Sequence, residues 1–78
     1  YLSFVDYKTI LQEYVSKIKL GEIEYVVLDS SGPSHSKNFT SAVLIGGKQY
    51  GSGTATTKKE SEQLSAKQAL EKLEYKDM

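Results

Sequence analysis

Phe39-Thr40-Ser41-Ala42-Val43-Leu44-Ile45-Gly46-Gly47-Lys48-Gln49-Tyr50 is the stretch on which the fold turns. A run of β-branched and apolar residues ends on a Gly-Gly pair. Such a pair marks a two-residue hairpin, because the turn that matches strand twist needs positive φ at both positions. The chain then resumes as a strand from Lys48 to Ala55, where Gly51 and Gly53 point to a bulge or an edge. Upstream, Ile23-Glu24-Tyr25-Val26-Val27-Leu28-Asp29 reads as another strand. The loop Ser30-Ser31-Gly32-Pro33-Ser34-His35-Ser36 separates it from Phe39. Three consecutive strands joined in this way make a small antiparallel meander.

Helical patterns flank the meander. From Asp6 to Lys19 the residues Tyr7, Ile10, Leu11, Tyr14, Val15 and Ile18 fall within an arc of about 140° on a helical wheel, the stripe of a helix lying on a core. Asp6 suits the N-cap and Gly21 suits a C-terminal stop. Thr57-Lys58-Lys59-Glu60 matches a capping box, so a last helix should run from Lys58 to about Glu74. Ala66, Ala69, Leu70 and Leu73 form its core stripe, with Ser65 at the margin and Leu64 outside it. The order α-β-β-β-α, with strands grouped rather than alternating with helices, predicts an α+β fold: a three-stranded antiparallel sheet with two helices packed on one face. Residues 1–78 should form a single domain with an ordered core over about 6–74.

Composition narrows the function. With 78 residues there is room for one small core, which excludes a large enzyme. No cysteine is present and only one histidine, so neither disulfides nor a thiolate metal site can staple the fold. No apolar run approaches a membrane span and no signal-peptide pattern opens the chain, which reads as cytoplasmic; a first residue other than Met suggests a piece of a longer protein. Glu22 with Glu24, and Glu60 with Glu62, are spaced as solvated surface pairs rather than as an acid–base couple, and Gly51-x-Gly53 lacks the remainder of a nucleotide loop. The ten lysines and ten acids cancel overall, yet residues 30–59 hold Lys37, Lys48, Lys58 and Lys59 with no carboxylate. Such a block suits a surface that faces a polyanion.

Three groups of residues could carry binding. Lys58 and Lys59 would sit at the start of a helix, where the macrodipole disfavours cations unless a phosphate is present to turn the penalty into attraction. His35 lies in a polar loop, suited to reaching into a groove. Thr9, Gln12, Glu13 and Ser16 oppose the apolar arc of the first helix, and their hydroxyl and amide groups can both donate and accept, as 2′-hydroxyls and base edges in a shallow minor groove require.

Taken together, Asp6-Tyr7-Lys8-Thr9-x-Leu11-Gln12-Glu13, Gly32-Pro33-x-His35-x-x-x-Phe39 and Lys58-Lys59-Glu60-x-Glu62-Gln63 resemble the double-stranded RNA-binding domain, and in wording the C-terminal domain of bacterial ribonuclease III. The resemblance covers nearly the whole chain. It implies that Thr9, Gln12, Glu13 and Ser16 enter one minor groove of double-stranded RNA. Pro33, Ser34 and His35 would enter the next, while Lys58 and Lys59 meet phosphates across the major groove between them. It further implies no catalytic residue and no cofactor in this chain, with Mg²⁺ belonging to a nuclease domain that would precede residue 1. The isolated domain would be a monomer, away from membranes, and the parent a homodimer. Two positions depart from the family: Ser61 replaces a buried Ala, tolerable if its hydroxyl bonds a carbonyl one turn back, and Glu62 replaces a third lysine. A domain of this fold that has given up RNA for protein partners is the alternative reading.

Overall fold

The computed structural model describes residues 5–33 and 37–75 and gives the order α1 (Tyr7–Ile18), β1 (Ile23–Ser31), β2 (Asn38–Ile45), β3 (Lys48–Ala55) and α2 (Lys58–Lys72). Gly46 and Gly47 take φ of 59° and 85°, the two positive values a tight hairpin needs, and β2 pairs antiparallel with both β1 and β3 in the order β1-β2-β3. Each edge strand carries a bulge. Leu28 is the extra residue in β1, and in β3 the register passes from Lys48 and Gln49 to Gly51 around Tyr50. β1 continues two residues beyond the expected Asp29, because Ser30 and Ser31 pair with Phe39 and Asn38.

One face of this sheet carries the core. Val43 and Ile45 of β2, Leu11 and Val15 of α1, and Ala66, Ala69 and Leu70 of α2 bury one another in a single cluster. The seat of α2 explains the two glycines of β3. A Cβ at Gly51 would collide with the Ser65 carbonyl oxygen, and one at Gly53 with the Cβ of Leu64. The helix backbone therefore lies directly on the strand, and Leu64, outside the apolar stripe, uses its Cβ to cover Gly53. α1 rests chiefly on α2 rather than on the sheet. Of its apolar arc only Leu11 and Val15 are buried; Tyr7, Ile10 and Tyr14 are half-buried and Ile18 is exposed.

Gly21 does not end α1. The left-handed residue is Lys19, with φ of 53°; its N–H donates to the Ser16 carbonyl and the Leu20 N–H to the Val15 carbonyl, closing a Schellman turn. Gly21 serves a different need. Its φ is 150°, and a Cβ there would stand 2.9 Å from the Cα of Gly46, so it lets the α1–β1 connection cross the hairpin.

The Ser61 hydroxyl finds the carbonyl one turn back that its burial demands. It donates to the Lys58 carbonyl at 2.7 Å and lies 2.6 Å from the hydroxyl of Ser41, with both side chains fully buried. Since Ser61 spends its only proton on Lys58, Ser41 must be the donor between the two. This order makes the pair asymmetric. Ser61→Ala strands the Ser41 hydroxyl in the core and should cost about 1–3 kcal/mol, whereas Ser41→Ala with Ser61→Ala together should be close to neutral. Urea denaturation of the three variants checks this, and equal losses for the single and double variants would contradict the proton order.

Candidate nucleic-acid interface

The outward face of α1 begins at its cap. The Asp6 carboxylate accepts the Thr9 N–H at 3.2 Å and the Thr9 hydroxyl at 2.8 Å. With its proton committed inward, the Thr9 oxygen presents acceptor lone pairs to solvent. Thr9, Gln12, Glu13 and Ser16 are all exposed and line one open depression with Lys17, so the helical period brings these four expected residues together. Gln12 and Ser16 also border a groove toward β1 whose wall includes Lys8, Glu22 and Tyr25.

The lysine pair sits where the capping box predicts. Thr57 has φ of −130° and accepts the Glu60 N–H at 3.1 Å, while the Glu60 carboxylate takes the hydroxyls of Thr57 and Thr56 at 3.3 and 3.4 Å. Lys58 and Lys59, the first two helical residues, are exposed. Strand register locates them relative to the loop. Ser31 pairs with Asn38 and Phe39 with Ala55, so the β1–β2 connection and the start of α2 leave the same end of the sheet. Pro33 is exposed at that end; Ser34 and His35 lie outside the described residues. Lys37, a member of the basic block outside the three candidate binding groups, is exposed there too, its ammonium 5.7 Å from the centre of the Phe39 ring. Lys48 is different. It follows the Gly46–Gly47 turn, at the opposite end, where its ammonium lies 5.6 Å from the centre of the Tyr50 ring. The acid-free block is thus divided in space, with three of its four lysines at one end of the sheet and one at the other.

Between α1 and α2 the structure shows a polar seam that no sequence pattern marks. Glu62 pairs with Lys8 of α1 at 2.7 Å. Gln63 accepts the Tyr7 N–H at 2.7 Å and donates to Asp6 Oδ1 at 2.8 Å, so α2 completes the cap of α1. The Gln63 bond, with those from Thr9, holds the Asp6 carboxyl below its ordinary value of 3.8. The stability it contributes is whole above that pH and is lost as pH falls through the lowered value. Beneath the seam, the Tyr25 ring lies 4.7 Å from the Lys8 ammonium. Its hydroxyl is buried with no hydrogen-bond partner among the described residues, and burial, reinforced by the charges of Glu62 and Asp6, pushes its pKa up to about 12. Among the described residues no three His, Cys, Asp or Glu side chains gather as a metal-binding group, and no helix is long and apolar enough to cross a membrane.

Residues 7–73 match the double-stranded RNA binding motif. The chain is 48% identical over 69 residues to ribonuclease 3 of Oceanobacillus iheyensis, covering 88% of this chain and 30% of that protein. It is 45% identical over 73 residues to ribonuclease 3 of Listeria monocytogenes, covering 94% and 32%. It therefore spans about a third of the length of these bacterial relatives. Among solved structures, Arabidopsis HYL1, described for its implications for miRNA processing, superimposes with a TM-score of 0.75 at 38% identity, covering 87% of this chain and 96% of that one.

The Tyr25 hydroxyl yields a pH test. Between its ordinary value of 10 and about 12 the unfolded chain gives up this proton while the folded chain keeps it. Stability from this group is therefore whole below pH 10 and is lost as pH rises toward 12. Tyr25→Phe should flatten that alkaline decline and, by removing an unpartnered buried hydroxyl, should leave the chain at least as stable at neutral pH. Denaturation midpoints of both chains across this range give the comparison. Identical alkaline slopes would contradict the burial of the hydroxyl.

Proposed function

The chain belongs to the double-stranded RNA binding motif family, and we propose that it holds A-form RNA by shape, as the substrate-positioning domain of a ribonuclease III-type endonuclease. The observation that carries this reading is the pairing of two surfaces through α2: the exposed polar face of Thr9, Gln12, Glu13 and Ser16 on α1, and the exposed cations Lys58 and Lys59 at the head of α2. Duplex RNA displays 2′-hydroxyls across a wide, shallow minor groove, where Thr9 can accept their protons and Gln12 and Ser16 can donate or accept. Lys58 and Lys59 then face phosphates, which relieve the penalty of placing two cations at the positive end of a helix dipole. Lys37 adds positive charge at the same end of the sheet. Pro33, Ser34 and His35 take the second minor groove in this scheme.

Holding and hydrolysing are separate tasks. In the proposed parent, Mg²⁺ on a set of carboxylates supplies the hydrolytic chemistry in a nuclease domain outside this chain; the residues here bind and orient the duplex. The parent would be a cytoplasmic homodimer and the isolated domain a monomer.

Duplex RNA should bind far better than duplex DNA of the same sequence, because DNA lacks the 2′-hydroxyl and the A-form groove. Equal affinities in a competition titration would contradict the minor-groove contacts. Lys58→Ala with Lys59→Ala should weaken binding to all sequences alike and reduce the salt slope by roughly one to two units, at about 0.7–0.9 per phosphate contact. An unchanged slope would remove these lysines from the phosphate contacts. His35→Ala should lower affinity for duplexes of about 16 base pairs or more and leave much shorter ones unaffected, since only the longer ones reach a second minor groove. Equal loss at both lengths would contradict a two-groove site.

A further inference from the structure

We infer that Gln63 is a positioning residue of the RNA interface: its side-chain amide sets the direction in which α1 presents Thr9, Gln12 and Ser16 relative to Lys58 and Lys59. This rests on the RNA-binding reading above and adds to it the element that holds the two contact surfaces in register.

The geometry singles out this side chain. α1 lies closer to α2 than to the sheet, which it meets through the shared core of Val43 and Ile45 and through Lys8 over the Tyr25 ring, so the α1–α2 seam weighs most in where the α1 face points. Most of that seam is apolar: Leu11 and Val15 against Ala66, Ala69 and Leu70, with the Tyr14 and Tyr75 rings edge to face at 5.0 Å at the far end. Apolar burial is non-directional, and a surface containing two alanines gives few ridges to resist rotation of one helix on the other. Hydrogen bonds are directional. Gln63 supplies two of them to consecutive residues of α1, accepting from the Tyr7 N–H at 2.7 Å and donating to Asp6 Oδ1 at 2.8 Å. The first satisfies a backbone donor that a helix start otherwise leaves unpaired; the second grips the carboxylate that also holds Thr9. One amide thus ties the second turn of α2, just past its lysine pair, to the first contact residue of α1. Lys8–Glu62 runs beside it, but a partly exposed pair between long flexible side chains constrains an angle poorly.

Two variants test the role. Gln63→Glu keeps the acceptor for Tyr7 but sets a second carboxylate against Asp6; Gln63→Met keeps length and helix preference while deleting both bonds. Each is compared with the unmodified chain by duplex RNA and duplex DNA titrations over a range of salt, and by residual dipolar couplings that give the α1–α2 angle in the free chain. The expected result is a changed angle, an RNA-over-DNA preference reduced about tenfold, the size of a typical net hydrogen-bond contribution, and an unchanged salt slope. If Gln63→Glu does not fold, Gln63→Met alone decides. An unchanged angle overturns the inference, as does a loss of the same factor for RNA and DNA, which would mean that Gln63 acts on stability alone. The two readings fail separately. An unmodified chain that binds no duplex RNA would end the RNA reading and the interface role with it, while unchanged preference in folded variants of an RNA-binding chain would end only the role of Gln63.

Discussion

The close contact of α2 with β3 is the constraint on which the other features depend. Gly51 and Gly53 supply no Cβ, so the backbone of Ser65 and the Cβ of Leu64 come down onto the strand. That seat puts Ala66, Ala69 and Leu70 over Val43 and Ile45, closing the core, and buries Ser61 against Ser41. A helix one methyl group farther away would open a layer of voids along its length, and interiors tolerate such gaps poorly. The same seat leaves the head of α2 at the sheet end from which the β1–β2 connection departs.

α2 therefore does three things along one helix. Its first two residues present cations, its second turn holds Lys8 through Glu62 and the Asp6 cap through Gln63, and its middle fills the core. Glu62 makes the economy of this arrangement plain. Three residues past Lys59, its carboxylate neutralises Lys8 and joins the helices. A carboxylate that looks out of place beside the lysine pair is a tie between the helices, in a chain whose net charge is zero.

What could be read in advance was what depends on local spacing. The Gly46–Gly47 hairpin, the Thr57 cap and the shared face of Thr9, Gln12, Glu13 and Ser16 follow from periods of two and 3.6 residues and from turn chemistry, and each is found where expected. Features set by contacts distant in sequence were not visible. A glycine just after a helix is most simply a cap, but Gly21 is needed where it passes Gly46, and Lys19 takes the left-handed turn instead. Gln63 lies 57 residues from Asp6, and no one-dimensional pattern connects an amide to a carboxylate at that range. Lys48 shares a linear block with Lys58 and Lys59 but is carried to the opposite end of the sheet by the hairpin. Linear charge patterning reports which residues are basic, and strand register decides which of them act together.

Duplex RNA binding along α1 and the head of α2 is tested most directly by a map of backbone amide shifts in the labelled chain as a duplex of about 16 base pairs is added, long enough for two minor grooves. Thr9, Gln12, Glu13 and Ser16 on α1 and Lys58 and Lys59 on α2 should shift together at one stoichiometry, while Thr40, Ala42 and Leu44, on the sheet face turned away from the helices, stay in place. Shifts centred on that sheet face, with α1 and the head of α2 unmoved, would contradict it.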